Sequence, residues 1–252
     1  MMDEELRRWR DLTDLDPDTL SPRRLDWSRK PEAFKRYPDR PRVPLPRPGV
    51  LRTPRVDLWD VLARRRSRRE FTGEPIRLET LAALLWACQG VTARQGPCLL
   101  RTAPSAGALY PFETYVSVQA VEGLDPCLAH FDVAGFALEI LEQGHHGRRI
   151  ALAALAQGFL DRAAAVLVWT AVYPRAAWKY RERALRYLGL DLGHVCQNLA
   201  LAAEAFGLGC CPVAAFFDRE MNQVLGVDGE EEFAYYLAAV GPLPSPRERI
   251  EG

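Results

Sequence analysis

The stretch Arg101-Thr102-Ala103-Pro104-Ser105-Ala106-Gly107-Ala108-Leu109-Tyr110-Pro111-Phe112 continues as Glu113-Thr114-Tyr115-Val116-Ser117-Val118-Gln119-Ala120. The second half alternates. Thr114, Val116, Val118 and Ala120 fall on one side of an extended chain, and Glu113, Tyr115, Ser117 and Gln119 on the other. That period of two predicts a strand with one buried face. The first half is a run of small residues between two prolines, which lets a backbone approach a flat ligand closely. Taken alone, it reads as a plain turn.

Other elements follow on both sides of this strand. Residues 57–63 read as a short helix ending in arginines. Leu78, Leu81, Leu84, Leu85 and Cys88 have helical spacing, with Gly90 as a stop. Downstream come a strand over 128–133, a helix over 148–157 and a buried strand over 164–173. A long helical region spans 174–206 with a break near Gly189, and strands over 211–217 and 233–240 follow. Residues 195–206 are apolar nearly all round, as in a helix buried in a core or a subunit interface. Strands and helices mix without regular βαβ alternation, which predicts an α+β layer architecture. Neither G-x-G-x-x-G nor a P-loop occurs, so a Rossmann or NTPase reading lacks its phosphate cradle.

Residues 1–55 form a proline-rich arm, and 56–252 form the body. Nine of the 19 prolines fall in the arm, so most of it cannot join a helix or a central strand. The run from Pro38 to Pro46 should be extended. Trp27, Phe34 and Tyr37 among the prolines suit an arm that wraps a body.

Composition narrows the functional classes. Of 252 residues, 48% are hydrophobic and 26% charged, which excludes disorder of the whole chain. The 33 basic residues balance 33 acidic ones, and a general nucleic-acid binder would show a basic excess. The start is acidic, and the apolar stretches 150–174 and 199–217 are interrupted by polar residues. We therefore expect neither a signal peptide nor a membrane span, and a cytoplasmic location. Six cysteines with no C-x-x-C pair, and four histidines, predict no metal site and reduced, buried thiols.

Four segments could carry chemistry. Arg64-Arg65-Arg66-Ser67-Arg68-Arg69 offers planar forks suited to phosphate, or is a solvated charge run at a helix end. The Pro104–Pro111 loop is the second. In Trp178-Lys179-Tyr180-Arg181-Glu182-Arg183, helical spacing puts Arg183 on a face with both Lys179 and Tyr180. A phenol near two cations suits a proton acceptor; the plain alternative is a solvated face with Tyr180 packing. Three of the 33 basic residues are lysines, and Lys179 is the one in the body. Arginine stays protonated, whereas lysine can shift its pKa when buried. The fourth segment is Asp191 to Leu199 followed by Gly207-Leu208-Gly209-Cys210-Cys211-Pro212-Val213-Ala214-Ala215-Phe216; its polar residues would also serve simply to satisfy buried groups.

In this order and spacing, the four segments resemble the nitroreductase superfamily, and most closely its SagB-type dehydrogenase branch, which includes thiazoline and oxazoline oxidases. The resemblance covers residues 57–241, and 25–38 of the arm also look like that branch. It implies an FMN-binding fold: a central, mostly antiparallel sheet flanked by helices, in a domain-exchanged homodimer. It implies that Arg65, Arg66, Ser67 and Arg69 hold the FMN phosphate and ribityl chain. Pro104, Ser105, Ala106 and Gly107 would lie against the flavin of the other protomer. Pro212, Val213, Ala214 and Ala215 would run along the isoalloxazine. Lys179 and Tyr180 fall on the Lys-Tyr pair important for catalysis in azoline oxidases. Two positions depart from many nitroreductases: Ala108 replaces an Asn and Ala214 a Glu.

The activity so implied is FMN-dependent dehydrogenation of a thiazoline- or oxazoline-like ring in a small molecule or modified peptide. The rivals are an NAD(P)H-dependent nitro or quinone reductase and a non-catalytic flavin-binding protein. Arg247 or Arg249 is a further candidate for the phosphate.

Overall fold

The computed structural model describes residues 3–15, 24–47, 53–96 and 98–245. The elements in chain order are α1 (Glu4–Thr13), β1 (Arg42–Pro44), α2 (Leu58–Arg64), β2 (Ile76–Arg77), α3 (Leu78–Gln89), β3 (Val91–Gln95), β4 (Cys98–Arg101) and β5 (Phe112–Val118). Then come β6 (Val121–Glu122), β7 (Cys127–Asp132), β8 (Ala137–Gln143), α4 (Gly147–Ala153), β9 (Ala165–Val172), α5 (Tyr173–Tyr180), α6 (Ala184–Ala205), β10 (Gly209–Val213), α7 (Asp218–Leu225) and β11 (Glu232–Gly241).

Seven strands form one sheet in the order β1-β8-β7-β5-β9-β11-β10, and every neighbouring pair is antiparallel. The expected α+β architecture is present. Apolar side chains of α3 and α6 pack with Val116, Leu167, Trp169 and Ala238 in one core. Ile150 of α4 and Met221 and Leu225 of α7 pack with Tyr115, Val166, Val168 and Leu237 in a second.

These two layers change one expectation. Every residue of β5 is buried, not one face of it. The alternation is real, but the polar side does not meet water. Glu113 and Tyr115 are covered by the arm, whose Lys35 and Tyr37 reach in to bond them. The arm also supplies the edge strand β1, where Pro44 interrupts no further ladder.

Several boundaries differ from the sequence reading. The first turns of the chain form α1, tied to the body by Arg186 Nη2, which donates to Thr13 Oγ1 at 2.7 Å and Asp14 Oδ1 at 2.8 Å. The helical region after β9 breaks at Arg181, which has φ +50°, while Gly189 lies inside α6. α4 stops at Ala153 because Leu155 and Ala156 turn to positive φ. β10 starts at Gly209 and ends at Val213 rather than spanning 211–217. Cys98 is half-buried, whereas the other five cysteines are buried. Among the described residues, no helix is long and apolar enough to cross a membrane.

Candidate active site

The arginine run is stitched to the edge of the sheet. Ser67 bridges Cys210 in parallel, and Arg68 N donates to Cys210 O at 3.0 Å. Two of the four segments thus meet: residues 65–69 lie beside the strand that leads into Pro212, Val213, Ala214 and Ala215. Gln157 Nε2 donates to Ala215 O at 3.1 Å and ties down the segment that follows the strand. Arg66, Ser67, Arg68, Arg69 and Glu70 line an open cleft of about 400 Å³, with Leu243 of the C-terminal segment on its wall. Arg247 and Arg249 lie outside the described residues. Among the described residues, none of Arg65, Arg66, Arg68 and Arg69 has a carboxylate within ion-pair distance, although Arg64 pairs with Glu204 at 3.7 Å. Arg68 Nε is buried with no hydrogen-bond partner. Unpaired guanidiniums around an open cleft suit a phosphate, which accepts parallel bonds from planar forks.

The other two segments also meet. Ser105 Oγ donates to Asp191 Oδ2 of α6 at 2.6 Å, and Ala106 N donates to the same carboxylate at 3.1 Å. Burial pushes the Asp191 pKa up, against the lowering effect of these bonds. The loop needs such an anchor, because Gly107, Ala108 and Tyr110 all have positive φ, which is costly for the two non-glycine residues. Gly107 (φ +62°) is where the loop approaches α5. A methyl there would lie 2.7 Å from Tyr180 Oη and 2.8 Å from Lys179 Nζ. Lys179 Nζ sits over the Tyr180 ring, 5.2 Å from its centroid.

Arg183 does not join them. The helix break at Arg181 turns it away, and it bonds Tyr187 Oη at 2.9 Å and the Thr13 carbonyl instead. Lys179 is exposed; the half-buried lysine is Lys35 of the arm. Burial would lower the Lys35 pKa, but its bonds to Glu232 and Tyr37 raise it. Sequence reasoning missed Lys35, Glu232 and the anchoring role of Asp191, because each acts through a partner distant in the chain.

The two halves of this arrangement lie apart. Cys210 is in register with Val240, Val240 with Ala165, and Ala165 with Val118, at one end of the strands. Phe112, which follows the Pro104–Pro111 loop, is in register with Ala171 at the other. The offset is about 20 Å along the strands at roughly 3.3 Å per residue, and three strand spacings across, roughly 14 Å.

The model described as "Nitroreductase family" matches residues 62–241. The chain belongs to the nitroreductase family. Proteins of this family are generally flavin-dependent oxidoreductases that usually bind FMN and are commonly dimers. The nitroreductase chain is 38% identical over 186 residues to MJ1384 of Methanocaldococcus jannaschii, which bears a nitroreductase name; the match covers 74% of this chain and 91% of that protein. It is 28% identical over 147 residues to the trifolitoxin-processing protein TfxB of Rhizobium leguminosarum bv. trifolii, covering 53% of this chain and 37% of TfxB. A crystal structure from Anabaena variabilis, also bearing a nitroreductase name, superposes with a TM-score of 0.77 at 27% identity, over 93% of this chain and 45% of that one. The chain thus spans less than half the length of these last two.

Proposed function

We propose that this nitroreductase-family oxidoreductase is an FMN-dependent dehydrogenase of the SagB type, acting on a thiazoline- or oxazoline-like ring. The observation that carries the reading is the juxtaposition of Lys179 Nζ and Tyr180 Oη at Gly107. It puts a proton acceptor and a cation beside a loop whose backbone a flat ring can approach. The likeness to TfxB, by name a toxin-processing protein, supports a modified peptide as substrate.

Arg65, Arg66, Ser67 and Arg69 would hold the FMN phosphate, and Pro212, Val213, Ala214 and Ala215 would lie along the ring system. When bound, FMN supplies the acceptor for a hydride. Tyr180 takes the proton from the ring carbon, and Lys179 stabilises the charge on the phenol oxygen. Pro104, Ser105, Ala106 and Gly107 would lie against the flavin of the other protomer, with Asp191 keeping that loop in its strained form.

Because the phosphate donors and the Lys-Tyr pair sit at opposite ends of the sheet, the site is completed by a second copy. The homodimer interface would use α6 and α2. Leu190 is 57% exposed and Trp59 75%, an unusual exposure for such side chains on two helices that pack together.

The test uses the purified full chain. FMN should be released on denaturation, and an azoline-containing peptide should lose two hydrogens in air. A colourless protein that takes up no added FMN would end this reading. The 38% identity to MJ1384, with its nitroreductase name, favours a second reading as an NAD(P)H-dependent nitro or quinone reductase. Rapid anaerobic bleaching of the flavin by NADPH, with no azoline oxidation, would select it.

A further inference from the structure

Between the arm and the Pro104–Pro111 loop lies a separate cavity of about 50 Å³. Two buried guanidiniums line it, Arg101 at 7% exposure and Arg175 at 5%, with Lys30 at its rim. Their surroundings leave positive charge over. Arg175 Nη1 is 2.6 Å from Glu113 Oε1 and Nε donates to Glu32 O at 2.7 Å. Glu113 is already held by His130 at 2.9 Å and by Lys35 N at 3.0 Å. Arg101 has no carboxylate within ion-pair distance among the described residues. Its Nη1 donates to the neutral Gln89 Oε1 at 2.5 Å.

A buried guanidinium without a counter-ion is costly unless an anion joins it. Burial lowers the Arg101 pKa, Glu113 partly offsets this, and the like charge of Arg175 adds to it, leaving it at about 10. The fork is held in place by two rings: its Cζ is 4.6 Å from the Tyr110 ring centroid and 5.3 Å from that of Phe34. Arg101 Nε is buried with no hydrogen-bond partner. Both guanidiniums line one small cavity.

We propose that this cavity binds a carboxylate of the substrate. The inference rests on the reading of Lys179 and Tyr180 as the reaction centre, and it names the chemical class that centre acts on. A planar carboxylate matches a guanidinium fork, and a volume of about 50 Å³ has room for a head group of a few atoms. The cavity is also placed to orient the rest of the molecule. Arg175 precedes Lys179 by four residues on α5, one helical turn away on the same face. Ala108 and Tyr110, which also line the cavity, lie one and three residues beyond Gly107. A substrate held by its carboxylate is directed toward Gly107, Lys179 and Tyr180.

Saturation-transfer NMR on the flavin-loaded full chain tests this through the methyl protons of acetate and its neutral isostere acetamide, with inorganic phosphate added as a competitor of acetate. Acetate should bind at least tenfold more tightly than acetamide, and more tightly than phosphate. Arg101→Gln should weaken acetate at least tenfold. Because Arg101 is buried, Lys30→Gln at the exposed rim serves as the companion, with a two- to fivefold loss and an unchanged circular dichroism spectrum. Equal affinity for acetate and acetamide, tighter binding of phosphate, or indifference of acetate to both substitutions would overturn the proposal. The readout does not need turnover. A protein selective for acetate but inactive on azolines loses the dehydrogenase reading and keeps the cavity; an azoline oxidase that does not select acetate loses only the cavity.

Discussion

Lys35 Nζ, in the arm, is 2.5 Å from Glu232 Oε2 at the start of the last strand, across 197 residues of chain. Glu232 Oε1 also accepts from Tyr115 Oη at 2.9 Å and Thr170 Oγ1 at 2.6 Å. The arm therefore neutralises a carboxylate that the sheet has buried. Removing one partner of a buried pair leaves an uncompensated charge, so Lys35→Met should cost about 2–4 kcal/mol, below the full effect because Lys35 is partly exposed. The urea midpoint measures it. Adding Glu232→Gln should recover part of the loss, and strict additivity would count against the pairing.

His130 lies between two carboxylates, with Nδ1 2.9 Å from Glu139 and Nε2 2.9 Å from Glu113. Burial alone would lower its pKa, but the bonds to Glu113 and Glu139 outweigh it and raise the value above 6.5. Its contribution to stability is then whole below pH 6.5 and fades as pH rises through the raised value. Glu113 behaves oppositely. Burial would raise its pKa, but His130 and Arg175 hold it at about 2, so its contribution is whole above pH 4.5 and fades as pH falls toward 2. Thermal melts from pH 5 to 9 should show the wild type losing stability on the alkaline side. His130→Asn should flatten that slope.

Arg66 and Arg69 are exposed at the cleft and free of carboxylate partners, so replacing either should spare the fold. A hydrogen bond to a charged group contributes about 1.5–3 kcal/mol, so each substitution to Ala should weaken FMN binding roughly 10- to 150-fold. Fluorescence quenching of added FMN reads the change. Affinity that stays at the wild-type value in the double variant would remove the arginine run from the site.

Tyr180→Phe keeps the ring that packs on Tyr187 and removes the oxygen beside Gly107. Azoline oxidation should fall by about 10²–10⁴, the usual contribution of a positioned proton acceptor, with FMN binding unchanged. Turnover at the wild-type rate would sink the role given to Tyr180.

Gly107→Ala probes the same contact from the loop. Its methyl meets Tyr180 Oη and Lys179 Nζ at under 3 Å and must adopt φ +62°. A loss of about 1 kcal/mol in stability is expected from the backbone alone. The larger effect should be on turnover, through displacement of the pair.

Local pattern made much of this legible. The apolar spacing of Leu81, Leu84, Leu85 and Cys88 produced a helix in which all four are fully buried. The run 164–173 produced β9, an interior strand of the sheet. What stayed hidden depended on distant partners. Alternation in β5 could not reveal that an arm would cover its polar side, because Lys35 and Tyr37 lie about 80 residues upstream. Gly189 looked like the weak point of the long helix, yet the backbone turned at Arg181. There the chain leaves α5 to bring Arg183 onto Thr13 of α1, a contact 170 residues apart. Of the site, the segments were readable and their pairing was not. No spacing in the sequence says that the arginine run lies against Cys210, or that Gly107 faces Lys179 and Tyr180.

The distance across the sheet between Ser67 and Gly107 has a genetic consequence. If each finished site draws its anion grip from one copy and its proton acceptor from the other, two defective chains can rescue each other. Mixed dimers of an arginine-run variant and a Tyr180 variant would carry one doubly damaged site and one intact site. Co-expression should then restore activity up to about a quarter of wild type. For the same reason, an inactive allele would poison half the sites of every mixed dimer it enters.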